Sequence, residues 1–396
     1  MQSNDIINVL ENQESMRFID SHMDQSGPSL MLKYHGKTNF DLLTCVSLLQ
    51  IFNKAKIKLP TFRERRLAID DRSYQQSSSE QIALYKRNIL KGKTLLDMTA
   101  GIGVDSTFIA DNFDSVIAVE RNENLHQLAT YNLQKLGIKN VKRICGDGQD
   151  WLVKEYDWIY IDPDRRVSDK RVISLSEMEP NLLQLIPNLK KKSKNIYIKL
   201  SPLFDIAVIW REFEYVSNIY VLAERGEIKE VGVVLNYSKK ETPKIHLVDV
   251  SSSFYKVVEN ESSYKKEPMT REVSSNEKYI WLPNSLYLKV RLVSHFLKNQ
   301  PVTKHSSFEI YFSNLKAIEG FRGFKVLGIS KLNMKSIRRL LSREGVDQVN
   351  IIIKGSNQKP EHWLNRLKMK EGGNKYLFLL HSSENEAILS ELSSAL

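Results

Sequence analysis

The chain has 396 residues, 41% of them hydrophobic, and a formal charge of +11; that length exceeds one ordinary domain and that apolar content excludes a disordered chain. No apolar run reaches the roughly eighteen residues a membrane span needs, and the N-terminus lacks a basic-then-apolar leader. Two cysteines, Cys45 and Cys145, give neither a disulfide framework nor metal-ligand spacing, so the expected compartment is a reducing cytoplasm, and the basic balance suits either RNA or a Lys-rich solvated surface.

Residues 1–88 read as a helical N-terminal region. Leu42, Leu43, Val46 and Leu49 recur at near-helical spacing, Leu59-Pro60 breaks the chain, and a polar stretch, RLAIDDRSYQQ, follows. Ser77 and Glu80 stand three apart, a capping-box signature ahead of EQIALYKRNIL. Over 89–237 the pattern becomes alternating strands and helices, with strands at TLLDM, SVIAVE, VKRIC, WIYID, NIYIKL, IYVLAE and VGVVLN. The alternation predicts a doubly wound α/β fold around a parallel sheet. Only RGEIKE separates the last two strands, too little for a crossover helix, so they are expected to pair antiparallel at an edge. Residues 238–279 read as a strand-poor linker containing the loop SYKKEPMTREVSSNEK. A piece at 280–322 precedes a small α+β module at 323–396, with strands at FKVLGIS, VNIIIKG and KYLFLLH and helices at MKSIRRLLSREG and PEHWLNRLKMK. Trp363, at helical spacing with Leu367, is expected in its core.

The chemistry concentrates in 93–166. Asp97 ends an apolar strand, and Thr99, Gly101 and Gly103 form a loop that opens the helix-like DSTFIAD. Glycine there permits unusual backbone angles and close approach of a ligand to the main chain. Gly-x-Gly alone is as often a plain turn. Glu120, 23 residues beyond Asp97, ends the next strand, where an acid can accept both ribose hydroxyls of a nucleoside. Asp147, after Cys145-Gly146, can hydrogen-bond an adenine amino group, and Asp162-Pro163 ends the fourth strand, where a transferred group would sit. All four acids thus fall at the carboxyl edge of the predicted sheet, where open α/β folds collect ligands. Singly, each is an ordinary cap or turn residue.

These motifs resemble those of class I methyltransferases, which bind S-adenosylmethionine, and the resemblance implies a seven-stranded sheet with a reversed final hairpin. A closer likeness is to bacterial class I methyltransferases with a THUMP-like C-terminal domain. It rests on Gln76-Ser77-Ser78-Ser79-Glu80, on Gly101 to Asp105, on Asp162-Pro163-Asp164-Arg165-Arg166, and on the run SIRRLLSREGVDQVNIIIKG. It implies a ferredoxin-like piece at 280–322 ahead of the THUMP-like domain and, by the THUMP name, kinship with RNA-binding modules.

Asp162 and Pro163 stand where a catalytic group belongs, yet Asp164 and Arg165 replace the Pro and aromatic ring that amino methyltransferases of bases often use. Arg165 and Arg166 could hold phosphate, or one could pair with Asp164 or Glu177 to fix the loop. Cys145 belongs to the adenine-side motif and is expected as a small core residue, which argues against a cysteine nucleophile. Lys335, Arg338 and Arg343 line one side of a C-terminal helix, together with Arg339, as an RNA contact or a solvated face. The histidines show no ligand spacing, so no metal is expected. The leading expectation is methylation of a tRNA or rRNA base. Its rivals are methylation of a small molecule or protein, and an RNA-binding protein that keeps the fold without activity.

Overall fold

The computed structural model describes residues 2–164, 166–167, 170–171, 175–239, 241–259, 278–298 and 300–393, with the backbone alone for 166, 167, 170, 171 and 176. The chain forms two compact units, Met1–Asn260 and Glu261–Leu396. Among the described residues no helix is long and apolar enough to cross a membrane.

The first unit opens with seven helices: α1 Ser3–Glu11, α2 Gln13–Ser21, α3 Gly27–Tyr34, α4 Leu42–Lys58, α5 Pro60–Glu64, α6 Asp71–Gln76 and α7 Glu80–Lys86. Asp41 starts α4 by accepting from the Thr44 amide at 3.0 Å, and Leu59, ahead of Pro60, ends it. Cys45, Val46, Leu48 and Leu49 are buried while Leu43 is 64% exposed, so the buried face is rotated from the predicted one. The polar stretch before the capping motif holds α6, and the cap of α7 is Ser79 rather than Ser77. Glu80 does not close a capping box; its carboxylate reaches back to the Thr61 amide and hydroxyl at 2.9 and 2.6 Å.

The sheet of this unit is built from β1 Thr94–Asp97, β2 Ser115–Glu120, β3 Val141–Cys145, β4 Trp158–Ile161, β7 Asn195–Leu200, β8 Val216–Glu224, β9 Glu227–Asn236, β10 Lys244–Asp249 and β11 Tyr255–Glu259. A two-stranded ribbon, β5 Arg166–Val167 with β6 Lys170–Arg171, stands apart from it. Helices α8 Val104–Ile109, α9 Glu123–Leu136, α10 Leu182–Leu189 and α11 Ile206–Glu212 fill the crossovers. Strand order is β11-β10-β8-β9-β7-β4-β1-β2-β3. Strands β1 to β4 and β7 run parallel, and β9 inserts antiparallel between β7 and β8. The reversed hairpin is therefore present but not at an edge: β10 pairs parallel with β8, and β11 returns antiparallel. Sequence reading missed both strands because KIHLVD is short and polar-flanked; Ile245 and Leu247 point inward while Lys244 and His246 do not. The predicted loop SYKKEPMTREVSSNEK lies outside the described residues but for Lys278.

The helical core, with Leu49, Phe52 and Leu67, continues into Ile102 and Val104 of the glycine segment and Leu128 of α9, so the N-terminal helices pack directly behind the loop that follows β1. The second unit is one seven-stranded sheet, order β13-β14-β12-β15-β18-β17-β16, from β12 Tyr279–Pro283, β13 Thr303–Lys304, β14 Tyr311–Ser313, β15 Phe321–Lys331, β16 Asn350–Lys354, β17 Lys375–Leu380 and β18 Glu386–Leu392. Its two short helices, α12 Ser285–Lys289 and α13 Val293–Phe296, precede β13. Helices α14 Met334–Arg343 and α15 Pro360–Leu367 join its core through Ile337, Leu340, Leu341, Trp363 and Leu367. The strand β18, unread in the sequence, ties β15 to β17.

Candidate active site

The loop after β1 is held from three sides. Asp97, buried at the strand end, accepts from the Thr99 amide at 3.2 Å, and the Ala100 amide donates to the Val119 carbonyl at 2.8 Å. Gly101 and Gly103 have φ of +54° and +84°, a region where a side chain is strained. Glu120 grips the loop from β2, accepting from the Gly101 amide at 2.8 Å and the Asn122 amide at 2.7 Å. Arg143 of β3 donates to the Gly101 carbonyl at 2.7 Å. A Cβ placed on Gly101 or Gly146 would meet nothing within 4 Å, so open space lies over both.

Burial pushes the Asp97 carboxyl up to about 7, against the Thr99 amide and the Arg143 charge, which favour ionisation. Asp147, two residues past β3, accepts from the Gln149 amide at 2.8 Å and from Arg121 at 2.6 Å. Arg121 also pairs with Glu179, whose backbone exchanges hydrogen bonds of 2.8 and 3.1 Å with Asp164. Cys145 is exposed, not the core residue expected from its small size: it ends β3 at the open carboxyl edge.

Asp162 follows β4. Its amide donates to the Thr99 hydroxyl at 2.7 Å, and its Oδ2 accepts from Lys199 Nζ of β7 at 2.6 Å. Pro163 is buried beside it. Arg165 lies outside the described residues, and Arg166 is described only as backbone paired with Arg171. The structure thus brings Asp97, Thr99, Gly101, Gly103, Glu120, Asp147, Asp162 and Pro163 to one sheet edge.

Beneath Asp162 runs a buried polar network. Asp105 of α8 accepts from Ser78 at 2.8 Å, Lys86 at 2.8 Å and Tyr160 at 2.9 Å, with Lys199 Nζ at 3.7 Å. Lys86, fully buried, also meets Glu230 at 2.6 Å and Tyr160 at 3.0 Å. Tyr197 donates to Glu230 at 2.6 Å and stacks on Tyr160 at 5.4 Å between centroids. Gly232 makes room for it, since a Cβ there would sit 2.0 Å from the Tyr197 hydroxyl. Burial opposes ionisation of Asp105, but Lys86 and Lys199 outweigh it and hold the carboxyl below its ordinary range. Burial likewise opposes charge on Lys199; Asp162, Asp105 and Glu230 overcome it and raise the ammonium above its ordinary value. Three carboxylates (Asp105, Asp162, Glu230) against two ammoniums (Lys86, Lys199) leave one surplus negative charge. Sequence reading put Asp162 in the site and met Ser78 and Asp105 only within the motifs that carry the resemblance, and it missed Lys86, Tyr160, Tyr197, Lys199 and Glu230. One signal was present: a lysine inside the otherwise apolar strand NIYIKL.

In the second unit, Lys335, Arg338, Arg339 and Arg343 are exposed on α14, opposite Ile337, Leu340 and Leu341. Arg338 donates to the Arg366 carbonyl at 2.7 Å, and Arg343 pairs with Glu344 at 2.8 Å.

Residues 321–391 match the THUMP domain-like family, and residues 51–163 match the family of protein-L-isoaspartate(D-aspartate) O-methyltransferases. An uncharacterized S-adenosylmethionine-dependent methyltransferase of Mycobacterium tuberculosis is 20% identical over 305 residues, 76% of this chain and 80% of that one. A tRNA/tmRNA (uracil-C(5))-methyltransferase of Actinobacillus pleuropneumoniae is 24% identical over 144 residues, 32% of this chain and 39% of that one. The crystal structure of a candidate methyltransferase from Porphyromonas gingivalis W83 shares the fold, with a TM-score of 0.79 and 23% identity over 97% of this chain and 98% of that one. These likenesses converge: the chain is an S-adenosylmethionine-dependent methyltransferase with a THUMP-like domain at residues 321–391.

Proposed function

We propose that the protein methylates a base of tRNA or rRNA, with the cofactor held over the glycine loop and the acceptor brought to Asp162. The observation that carries the site is the open space over Gly101 and Gly146, rimmed by Glu120 and Asp147. Bound there, S-adenosylmethionine supplies an electrophilic methyl on a cationic sulfur. Gly101, Gly103 and Thr99 shape its cradle, Glu120 takes the ribose hydroxyls, Asp147 takes the adenine amino group, and Asp97 offers charge to the methionine end. Asp162 accepts from the acceptor, with Pro163 fixing its turn; Arg165 and Arg166 hold substrate phosphate. For RNA, support comes from the THUMP-like match, the exposed basic side of α14, and the tRNA/tmRNA (uracil-C(5))-methyltransferase among the relatives. A tRNA or rRNA substrate implies a cytoplasmic enzyme. The chain's two cysteines, Cys45 in α4 and Cys145 at the end of β3, both lie outside β4 and the loop of Asp162, which favours a nitrogen acceptor over a pyrimidine carbon that needs a cysteine nucleophile.

The test is methylation of RNA from a strain lacking this protein, with labelled S-adenosylmethionine, followed by mass spectrometry of the nucleosides. A new methylated nucleoside is expected; transfer only to protein or metabolites would sink the RNA reading. Reversing Lys335, Arg338 and Arg343 to Glu is expected to weaken RNA binding and flatten its salt slope by up to about 0.9 per lost phosphate contact on a duplex. Filter binding across a salt series reads this, and an unchanged slope would place RNA elsewhere.

Cofactor affinity should depend on pH through Asp97. Its folded value, up to about 7 through burial, leaves the carboxyl protonated at lower pH, and a cationic ligand favours the ionised form. Between pH 8 and pH 6 the competent fraction falls about tenfold, so the dissociation constant should rise about tenfold. Asp97→Asn should bind weakly with little pH dependence. Calorimetry at both pH values checks it.

A further inference from the structure

A lysine in a central strand is costly. Five of the six residues of β7 are buried, Lys199 among them, and its ammonium must be stripped of water. An apolar side chain of similar volume would pack there without that cost. What Lys199 reaches is Asp162, at 2.6 Å, and, less closely, Asp105 at 3.7 Å. Asp105 is already served by Ser78, Lys86 and Tyr160, so Lys199 is not needed to satisfy it. At Asp162 the position is different. Its side chain is 29% exposed, Lys199 holds Oδ2, and Oδ1 has no partner among the described residues. The Thr99 hydroxyl pins the amide of the same residue. Asp162 is thus fixed at two points with one oxygen left open.

We infer that Lys199 is a positioning residue for methyl transfer: it anchors one carboxylate oxygen of Asp162 so that the other is presented to a hydrogen-bearing nitrogen of the acceptor. This rests on the reading of Asp162 as the acceptor contact. The carboxylates Asp162, Asp105 and Glu230 keep Lys199 charged, while Lys86 pairs with Asp105 and Glu230, and Tyr160 and Tyr197 stay neutral as donors to the same two carboxylates. Charge tally supports the assignment. Without Lys199, Asp105 and Asp162 would face each other as like charges, with Lys86 alone to balance Asp105, Asp162 and Glu230.

The test is a double-mutant cycle on the full-length protein, with RNA from a strain lacking it and labelled S-adenosylmethionine as the probes. Lys199→Met is expected to lower kcat about 10²-fold, the scale of a misplaced reacting partner, while calorimetric cofactor affinity stays within about threefold. Lys199→Arg should recover part of the rate. In an Asp162→Asn background, Lys199→Met should change kcat little further, because the two act as a unit. If Lys199→Met folds poorly, Lys199→Gln carries the same comparison, and the cycle compares rates within one background. Additive losses, no rescue by Lys199→Arg, or wild-type kcat in Lys199→Met while Asp162→Asn is impaired, would overturn the inference. Wild-type turnover by Asp162→Asn would instead overturn the reading of Asp162 itself.

Discussion

Asp162→Ala is expected to bind S-adenosylmethionine nearly as tightly as the wild type and to transfer its methyl group about 10²-fold more slowly or worse. The residue stands one past the end of β4, at the carboxyl edge where ligands gather in open α/β sheets. Its backbone is tied to Thr99 and one oxygen to Lys199, so the other oxygen is held in a narrow range of positions. Fixing a group before the reaction is where positioning residues gain their effect, since the ordering entropy is already spent. The cofactor cradle is made elsewhere, by the glycine loop, Glu120 and Asp147, so the loss should appear in kcat and not in cofactor affinity. Single-turnover kinetics at saturating RNA, beside calorimetry, separates the two. An Asp162→Ala enzyme with wild-type single-turnover rate would make the loop structural.

What the sequence made legible, and what it hid, follow from how each kind of signal is written along the chain. Apolar runs bounded by acids, such as Thr94–Asp97 and Ser115–Glu120, announce buried parallel strands, because such strands are apolar on both faces. The acids that close them fall at one sheet edge for the same reason: the strands are parallel. Phase within a helix was harder. Leu43 and Cys45 differ little in sequence context, yet α4 buries the cysteine and exposes the leucine. The strand inside the sheet's edge was harder still, because β10 is half polar and gains its pairing from β8, some 26 residues earlier in register (Lys244 against Asn218). The buried charges were hidden most completely. Lys86 stands in a basic, surface-like run, and only the fold brings it to Asp105 and Glu230, 19 and 144 residues away in sequence. Ion pairing between distant residues leaves no local pattern, so Lys86 and Glu230 could be seen only in three dimensions, whereas Lys199 left one sign, a lysine inside NIYIKL.

Lys86→Met is expected to cost about 3–5 kcal/mol of stability, the range for removing one partner of a buried ion pair. Lys86 is fully buried, and its ammonium meets Asp105 at 2.8 Å, Glu230 at 2.6 Å and the Tyr160 hydroxyl at 3.0 Å. It also lies over the Tyr160 and Tyr197 rings, 5.3 and 5.8 Å from their centroids. Methionine replaces the stem, so the packing term is small and the loss is electrostatic. What remains is two buried carboxylates with Lys199 as the nearest cation, and that one is committed to Asp162. Adding Glu230→Gln should return part of the stability by removing one stranded charge. The pH dependence has a definite sign. Lys86 helps hold the Asp105 carboxyl below its ordinary range, so this stabilisation is complete above the unfolded value of about 3.8 and is lost as pH falls through the lower folded value. The gap between wild type and Lys86→Met should therefore be widest near neutral pH and narrow below pH 4. Urea denaturation across that range, followed by circular dichroism, measures it; a gap that is small at neutral pH, or that widens in acid, would show that the lysine is not the counter-ion on which Asp105 depends.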